Sequence, residues 1–311
     1  MDRLSAADVL VMAGLLGVGI GLPAVLAVQT HAFGIPRNDD WAYRVDLWRF
    51  VDTGRVSLAG WGAMTLVGQV LWAAPFALLF GTQAWIPGVA VALVSAAGLV
   101  AAYVLARPLL TRAGTAACVL VLLTFPGFLL NTSSFMTDVP AFSTEVICLA
   151  LGAAALRGLC SPGLPEEQVG SPPAVAFGSP PAVAFGSTTW SRASGMASTG
   201  RRLGAPLFLV ASLAVGLFGF SIRESVIAAP VAVLVALALR DWRHWLLYSG
   251  LGACLLAACA GIYVWSAQLP GAQHEHFGRP GIAAVKSLLA AYFTLSFILS
   301  PVLARALFRA R

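Results

Sequence analysis

The chain has 311 residues, of which 59% are hydrophobic and only 10% are charged. A soluble domain carries about 25% charged residues, so this chain has too few polar side chains to cover a water-facing surface of its size. The composition excludes a soluble enzyme, a disordered chain and a secreted disulfide scaffold, and it indicates an integral membrane protein. The net charge of +6 does not indicate nucleic-acid binding, because the arginines are scattered between apolar segments.

Long apolar segments predict membrane-spanning helices rather than a β-barrel, since a helix needs about 20 apolar residues to cross a bilayer. Eight segments have this character: 7–28, 85–105, 115–131, 137–157, 204–221, 224–239, 245–266 and 286–306. The sequence therefore predicts an all-α, polytopic bundle of about eight transmembrane helices, in a single domain over residues 1–311.

The apolar stretch at 65–80 allows two topologies. With a cytoplasmic N-terminus and 65–80 on the membrane surface, 12 lysines and arginines are cytoplasmic and seven are not. With an external N-terminus and 65–80 spanning, the counts are 15 and four, which the positive-inside rule favours. We nevertheless expect the first topology, because it places Asp39–Asp40, Asp138, Glu224 and Glu275 on one face, as a single site requires.

This topology makes residues 29–84 an extracytoplasmic first loop with interfacial helices and leaves both termini cytoplasmic. Five of the nine tryptophans lie between residues 41 and 85, as expected for a loop at the membrane–water interface. Residues 158–203 are rich in Gly, Ser and Pro and contain GSPPAVAF twice, at 170–177 and 178–185. We expect this segment to be a disordered cytoplasmic insertion.

Two acidic clusters are candidates for chemistry. Asp39 and Asp40 follow the first apolar segment and indicate either a solvated belt-forming loop or a site with a general base or metal ligand. Asp138 precedes Pro140 at a helix start, where it either caps the helix or joins a site. Glu145 lies seven residues further on and shares its face, and a carboxylate inside a span usually faces a polar interior.

Cationic residues form the other two candidates. Arg223 and Glu224 lie between two apolar segments, either as a surface ion pair or with Arg223 holding an anionic group from the lipid side. His274, Glu275 and His276 form a weak metal-binding signal, followed by Arg279. A P-loop, a GxSxG motif and an HExxH motif are all absent from the sequence.

Taken together, these segments resemble the GT-C superfamily of membrane glycosyltransferases, close to the protein O-mannosyltransferase and aminoarabinose-transferase-like group of glycosyltransferase family 39. The likeness rests on Asp39, Asp40 and Tyr43 in a D-[DE]-x-x-Y pattern, on PFALLFG at 75–81, on the segment from Ser134 to Pro140, and on the segment from Arg223 to Pro230. Members of that group usually have more spans and often a soluble C-terminal domain, so the resemblance implies a minimal or truncated member.

The resemblance implies that a sugar moves from a polyprenyl-phosphate-linked donor to an extracytoplasmic lipid, glycan or protein acceptor, in a bacterial-type plasma membrane. It implies catalytic roles for Asp39, Asp40 and Asp138, and substrate-binding roles for Tyr43, Arg223, Glu224 and Arg279. No cofactor is certain; a divalent metal would find His274 and His276 as candidate ligands. The expected partners are these substrates and membrane lipids. No nucleic acid is expected to bind.

Two other functions remain open from the residues. A transporter or lipid flippase would use Asp138 and Glu145 as intramembrane coupling groups. The apolar spans, however, do not show the repeated halves that are common in transporters. A non-catalytic membrane subunit is the other alternative.

Overall fold

The computed structural model describes residues 4–32, 34–36, 39–60, 65–159 and 191–272, with the backbone alone over 191–203. The described residues are predominantly helical and contain no strand. The α-helices are α1 (Ala6–Leu16), α2 (Leu22–Gln29), α3 (Asp40–Thr53), α4 (Val67–Phe80), α5 (Ile86–Ala106), α6 (Arg112–Thr124), α7 (Pro126–Asn131), α8 (Asp138–Leu159), α9 (Ser191–Phe220), α10 (Ala228–Arg240) and α11 (Trp245–Ala267).

Four helical segments of the described residues are long and apolar enough to cross a membrane: Ala6–Gln29, Ile86–Ala106, Asp138–Leu159 and Trp242–Ala267. They coincide with four of the eight predicted spans. For the described residues, an all-helical fold with four candidate membrane-spanning helices is therefore confirmed, whereas eight spanning helices are not.

Proline accounts for two of the differences. The predicted span 115–131 is interrupted at Phe125, whose ψ of 120° is the extended conformation favoured before Pro126. The predicted span 224–239 begins instead with a 3₁₀ turn, Glu224–Ile227, and continues as the 13-residue α10, with Pro230 in its first turn.

The remaining predicted segments differ in how much of them the structure covers. The apolar part of α9, Gly204–Phe220, is shorter than 18 residues. Residues 286–306 lie outside the described residues, as do 160–190 of the predicted insertion. Residues 191–203 form the first turns of α9 rather than an irregular segment; no proline interrupts them.

Small residues allow the central helices to approach closely. A β-carbon at Gly98 of α5 would lie 2.5 Å from Ser143 Oγ of α8, and one at Gly152 of α8 would lie 2.3 Å from a methyl group of Val233 in α10. Close packing of this kind is what holds helices together in lipid, where the surrounding chains are as apolar as the side chains. Larger residues at either glycine would separate the helices.

The first helical segment is attached to this bundle mainly through Asp8. Its carboxylate accepts hydrogen bonds from Ser5 Oγ, Tyr103 Oη, Arg107 Nε and Arg112 Nε, at 2.6, 2.9, 2.9 and 3.1 Å. Asp8 is buried, whereas only 6% of the apolar window of Ala6–Gln29 is. The cluster thus ties α1 to the end of α5 and the start of α6.

α5 separates two polar ends of the molecule. Its 21 residues extend about 31 Å, close to the thickness of a bilayer core. Counting only side chains that the structure describes, the end at Ala106, here called the basic end, carries Asp8 and Asp241 with five arginines: Arg107, Arg112, Arg157, Arg240 and Arg243. On the same basis, the end at Ile86, here called the acidic end, carries four arginines (Arg44, Arg49, Arg55 and Arg223) and six carboxylates: Asp39, Asp40, Asp46, Asp52, Asp138 and Glu224.

α4 both starts and ends at the acidic end. Thr65 precedes it and donates its backbone N–H to Glu224, while Ala84 follows it and accepts from Arg44. Its 14 residues extend only about 21 Å. Residues on both sides of the apolar stretch 65–80 therefore bond to residues of the acidic end.

We expect Asp8→Ala to lower the thermal unfolding midpoint of the detergent-solubilised protein by several degrees, because it leaves Arg107 and Arg112 facing each other without the carboxylate between them. Ser5→Ala is the matched control, since it removes one hydroxyl donor and the helix cap but keeps the ion pairs. An Asp8→Ala midpoint equal to that of Ser5→Ala would show that the ion pairs do not hold the first helix.

Candidate functional site

The acidic end is organised by a buried ion pair within α3. Arg44 Nε lies 2.5 Å from Asp40 Oδ1, and Arg44 Nη2 lies 2.9 Å from Asp40 Oδ2. The other terminal nitrogen, Nη1, donates to the carbonyl oxygens of Gly34 and Ala84 at 2.5 and 2.6 Å. Asp40 is fully buried and Arg44 is 5% exposed, so Asp40 neutralises Arg44 and fixes the loop. Both carboxylate oxygens of Asp40 are thus engaged by Arg44.

Asp39 has a different environment from its neighbour. It is half-buried, occupies the N-cap position of α3, and does not use its side chain as a cap. Tyr43 lies one turn further on and is buried in the core of the first loop, at 2% exposure. Burial raises the pKa of the Tyr43 hydroxyl, the charge of Asp39 adds to this, and Arg223 opposes it. Tyr43 is therefore within electrostatic range of both Asp39 and Arg223.

The turn before α8 contacts α3 and α4. Ser134 Oγ donates to Asp40 Oδ2 at 3.1 Å, and the backbone oxygen of Phe135 accepts from Gln69 Nε2 of α4 at 2.8 Å. Asp138, at the start of α8, forms an ion pair with Arg223. The side chains of this pair are 46% and 31% exposed, so it lies at the surface of the site.

Arg223 and Glu224 do not pair with each other in the contacts of the described residues. Glu224 instead accepts the backbone N–H of Thr65 at 3.1 Å, and Thr65 Oγ1 donates to the carbonyl of Phe220 at 2.9 Å. The next residue, Ser225, hydrogen-bonds Glu145 of α8. The turn after α9 is thus fastened to the first loop on one side and to α8 on the other.

These contacts bring together most of the residues that the sequence singled out: Asp39, Asp40, Tyr43, Asp138, Arg223 and Glu224. Arg279, His274 and His276 lie outside the described residues. In the described part of the chain, no group of three His, Cys, Asp or Glu side chains could hold a metal ion.

Sequence reasoning missed two residues on which the geometry depends. Arg44 follows Asp40 by four positions, a spacing at which opposite charges meet on a helix, so a helical prediction for 40–53 would have found it. Ser134 bonds a residue 94 positions away, and nothing local in the sequence indicates that contact.

Asp46 is the second buried carboxylate of α3. It is 3% exposed, it accepts the backbone N–H of Ala59, and its Oδ1 atom has no hydrogen-bond partner. Burial raises the pKa of Asp46 to about 7, although the charge of Arg49 and the Ala59 hydrogen bond oppose the shift. Asp46 connects α3 to a segment whose Leu58 N–H bonds Pro270, just after α11.

No family model, curated protein or solved structure matches this chain.

The raised pKa of Asp46 predicts a pH-dependent stability. Because the folded state holds the proton more tightly than an unfolded chain with a pKa near 3.8, the contribution is fully present below about pH 4 and is lost as the pH rises to about 7. We expect Asp46→Asn, which is neutral at every pH, to stabilise the protein at pH 8 by on the order of 2 kcal/mol and by much less at pH 5.

Thermal unfolding in detergent at pH 5 and pH 8 measures this difference. Asp52→Asn is the matched control, since Asp52 lies on the same helix but is exposed. Parallel pH profiles for the wild type and Asp46→Asn would contradict the account.

Proposed function

We propose that the chain is a membrane glycosyltransferase of the GT-C type, which transfers a sugar from a polyprenyl-phosphate donor to an acceptor at its acidic end. The observation that carries this proposal is the convergence of Asp39, Asp138 and Arg223 at one end of a helical membrane bundle. They come from three separate parts of the sequence, linked by the Asp40–Ser134 and Thr65–Glu224 hydrogen bonds.

The charge distribution supports an extracytoplasmic acidic end. Among the residues whose side chains the structure describes, the basic end carries five arginines and the acidic end four. The positive-inside rule favours the cytoplasm for the arginine-rich side of a membrane protein. The contacts of Thr65 and Ala84, which flank α4, with Glu224 and Arg44 support an α4 that lies at the acidic end and does not span. We therefore propose a plasma-membrane protein with a cytoplasmic N-terminus.

The chemistry assigns a separate task to each group. Asp39 accepts the proton of an acceptor hydroxyl while that oxygen forms a bond to the anomeric carbon of the donor sugar. The bond from the anomeric carbon to the phosphate oxygen breaks, and the lipid phosphate leaves with the electron pair. Arg223 stabilises the charge that develops on this leaving group. Asp138 positions the guanidinium of Arg223 through their ion pair.

The buried groups support this arrangement without reacting. Asp40 and Arg44 neutralise each other and hold the loop in which Asp39 lies. Glu224 fixes the turn that carries Arg223 by accepting from Thr65. Arg279, His274 and His276 keep their sequence-based roles as candidates for phosphate and metal.

A transporter is the second candidate, and Glu145 favours it. This carboxylate lies inside the candidate span Asp138–Leu159 and hydrogen-bonds Ser225. An intramembrane carboxylate of this kind is typical of coupling groups in transporters. Transport would require Glu145, whereas sugar transfer requires Asp39, so the two functions predict different sensitive residues.

We expect Asp39→Asn to lower the rate of sugar transfer by about 100-fold or more, the usual contribution of a general base. Folding should survive, because Asp39 is half-buried and does not cap its helix. The measurement is transfer by purified, reconstituted protein supplied with labelled polyprenyl-phosphate sugars.

Asp52→Asn is the control carboxylate on α3 and should retain wild-type activity. Asp40→Asn should lose folded protein as well as activity, because it leaves Arg44 buried without its partner. Full transfer by Asp39→Asn would remove Asp39 from the mechanism, and sensitivity to Glu145→Gln alone would favour transport.

A further inference from the structure

An apolar groove lies between the first helical segment and the α6–α7 pair. It has a volume of about 440 Å³, within the range of small-molecule sites. Val18, Leu22 and Leu26 line one wall, and Leu120 and Leu130 line the other. All five side chains are between 45% and 57% exposed, so the groove opens to the membrane surroundings of the bundle.

Two breaks in the helices shape this groove. On one wall, α1 packs against Val119 and Leu123 up to the π turn Gly17–Gly21, where Gly19 lies so close that a β-carbon would be 2.1 Å from Leu123. Beyond this turn, α2 lines the groove instead of the core. On the other wall, the helix is interrupted at Phe125. Single π turns of this kind occur often at functional sites.

In a bilayer this groove is filled by hydrocarbon. Its lining is almost entirely apolar, and water gains no hydrogen bonds in such a space. A hydrocarbon chain lying in it buries apolar surface along both walls. The ligand is therefore the chain of a membrane amphiphile.

The polar end of the groove indicates which amphiphile it is. Thr30 and Ser133 line that end, and the next residue, Ser134, donates to Asp40 beside Asp39. Among the described residues, no lysine or arginine lines the groove. Arg44 is occupied by Asp40 and two carbonyl oxygens, and Arg223 is not part of the lining.

In the described lining, a lipid phosphate would thus find no cation to pair with it, and Ser134, next to the lining residue Ser133, bonds the Asp40 carboxylate. An uncharged headgroup with a hydroxyl fits better, because a hydroxyl donates to a carboxylate. We propose that the groove binds the hydrocarbon chain of the acceptor, an uncharged lipid whose hydroxyl it delivers to Asp39. Naming this lipid as the acceptor rests on the proposed function, whereas its binding does not.

The test uses the full chain in phosphatidylcholine nanodiscs with hexadecyl glucoside carrying a diazirine in its chain. We expect saturable photolabelling of the segments 18–30 and 120–133. Leu26→Trp fills the groove and should reduce this labelling by at least about fivefold. Val25→Trp is the matched control, since Val25 is as exposed as Leu26, at 52% against 51%, and does not line the groove.

Labelling that does not saturate, or that Leu26→Trp leaves unchanged, would overturn the proposal. Such labelling would come from probe dissolved in the surrounding lipid and not from probe bound in the groove. A second probe is a photoreactive polyprenyl phosphate. If it labels these segments and hexadecyl glucoside does not compete with it, the groove binds the donor and the proposal is overturned.

A transfer assay keeps the two proposals apart. The wild type should use hexadecyl glucoside better than octyl glucoside as an acceptor, and Leu26→Trp, but not Val25→Trp, should lose this preference. Transfer without a chain-length preference overturns the acceptor groove and leaves the glycosyltransferase in place. Saturable labelling without transfer to any acceptor overturns the proposed function and leaves the lipid site.

Discussion

A buried guanidinium must be neutralised and its donors must be bonded, and at Arg44 this requirement organises the whole acidic end. Asp40 supplies the opposite charge, and the carbonyls of Gly34 and Ala84 take the remaining contacts. The same pair receives Ser134 from the turn before α8. One ion pair therefore joins the end of the first helical segment, α3, the start of α5 and the approach to α8. Because removal of one partner leaves a buried charge, these elements hold together or separate together.

Both ends of the bundle pair arginines with aspartates, but the charge that remains unpaired differs between them. At the basic end, one carboxylate, Asp8, is shared by two arginines, and positive charge remains in excess. At the acidic end, Arg44 and Arg223 are each matched by an aspartate, and Asp39 and Glu224 remain beyond those pairs. The difference gives the molecule an electrostatic polarity along the direction of α5. That polarity is the physical basis for both the orientation and the chemistry that we propose.

Apolar composition and length were enough to predict an all-helical fold and four helices that are long and apolar enough to cross a membrane. The predicted span boundaries were wrong where the local backbone conformation, and not hydropathy, decides where a helix begins or ends. Pro126 ends α6, and a 3₁₀ turn shortens the start of α10, although both stretches are mainly apolar. Hydropathy also left 65–80 undecided, because a surface-lying helix and a spanning one can have the same composition. The contacts of Thr65 and Ala84, both over long sequence separations, add what hydropathy lacks: residues on each side of α4 bond to the acidic end.

The candidate site was predictable as a set of residues and much less so as an arrangement. Acidic and basic clusters stand out in a chain with so few charges, and Asp39, Asp138 and Arg223 were identified in this way. Their partners were not, since Arg223 pairs with Asp138 rather than with its neighbour Glu224. Nor does the sequence distinguish Asp39 from Asp40. The structure separates them: Asp39 is half-buried, whereas Asp40 is fully buried and pairs with Arg44.

The central claim is that the acidic end lies outside the membrane and the basic end inside. Single cysteines in a cysteine-free background at Thr53 and Asp138 report on the first, and cysteines at Leu109 and Arg243 report on the second; all four positions are exposed. With intact cells and a membrane-impermeant maleimide, the account predicts labelling at Thr53 and Asp138 at once, and at Leu109 and Arg243 only after permeabilisation. Labelling of Thr53 only after permeabilisation, or of Thr53 and Asp138 from opposite sides, would contradict it.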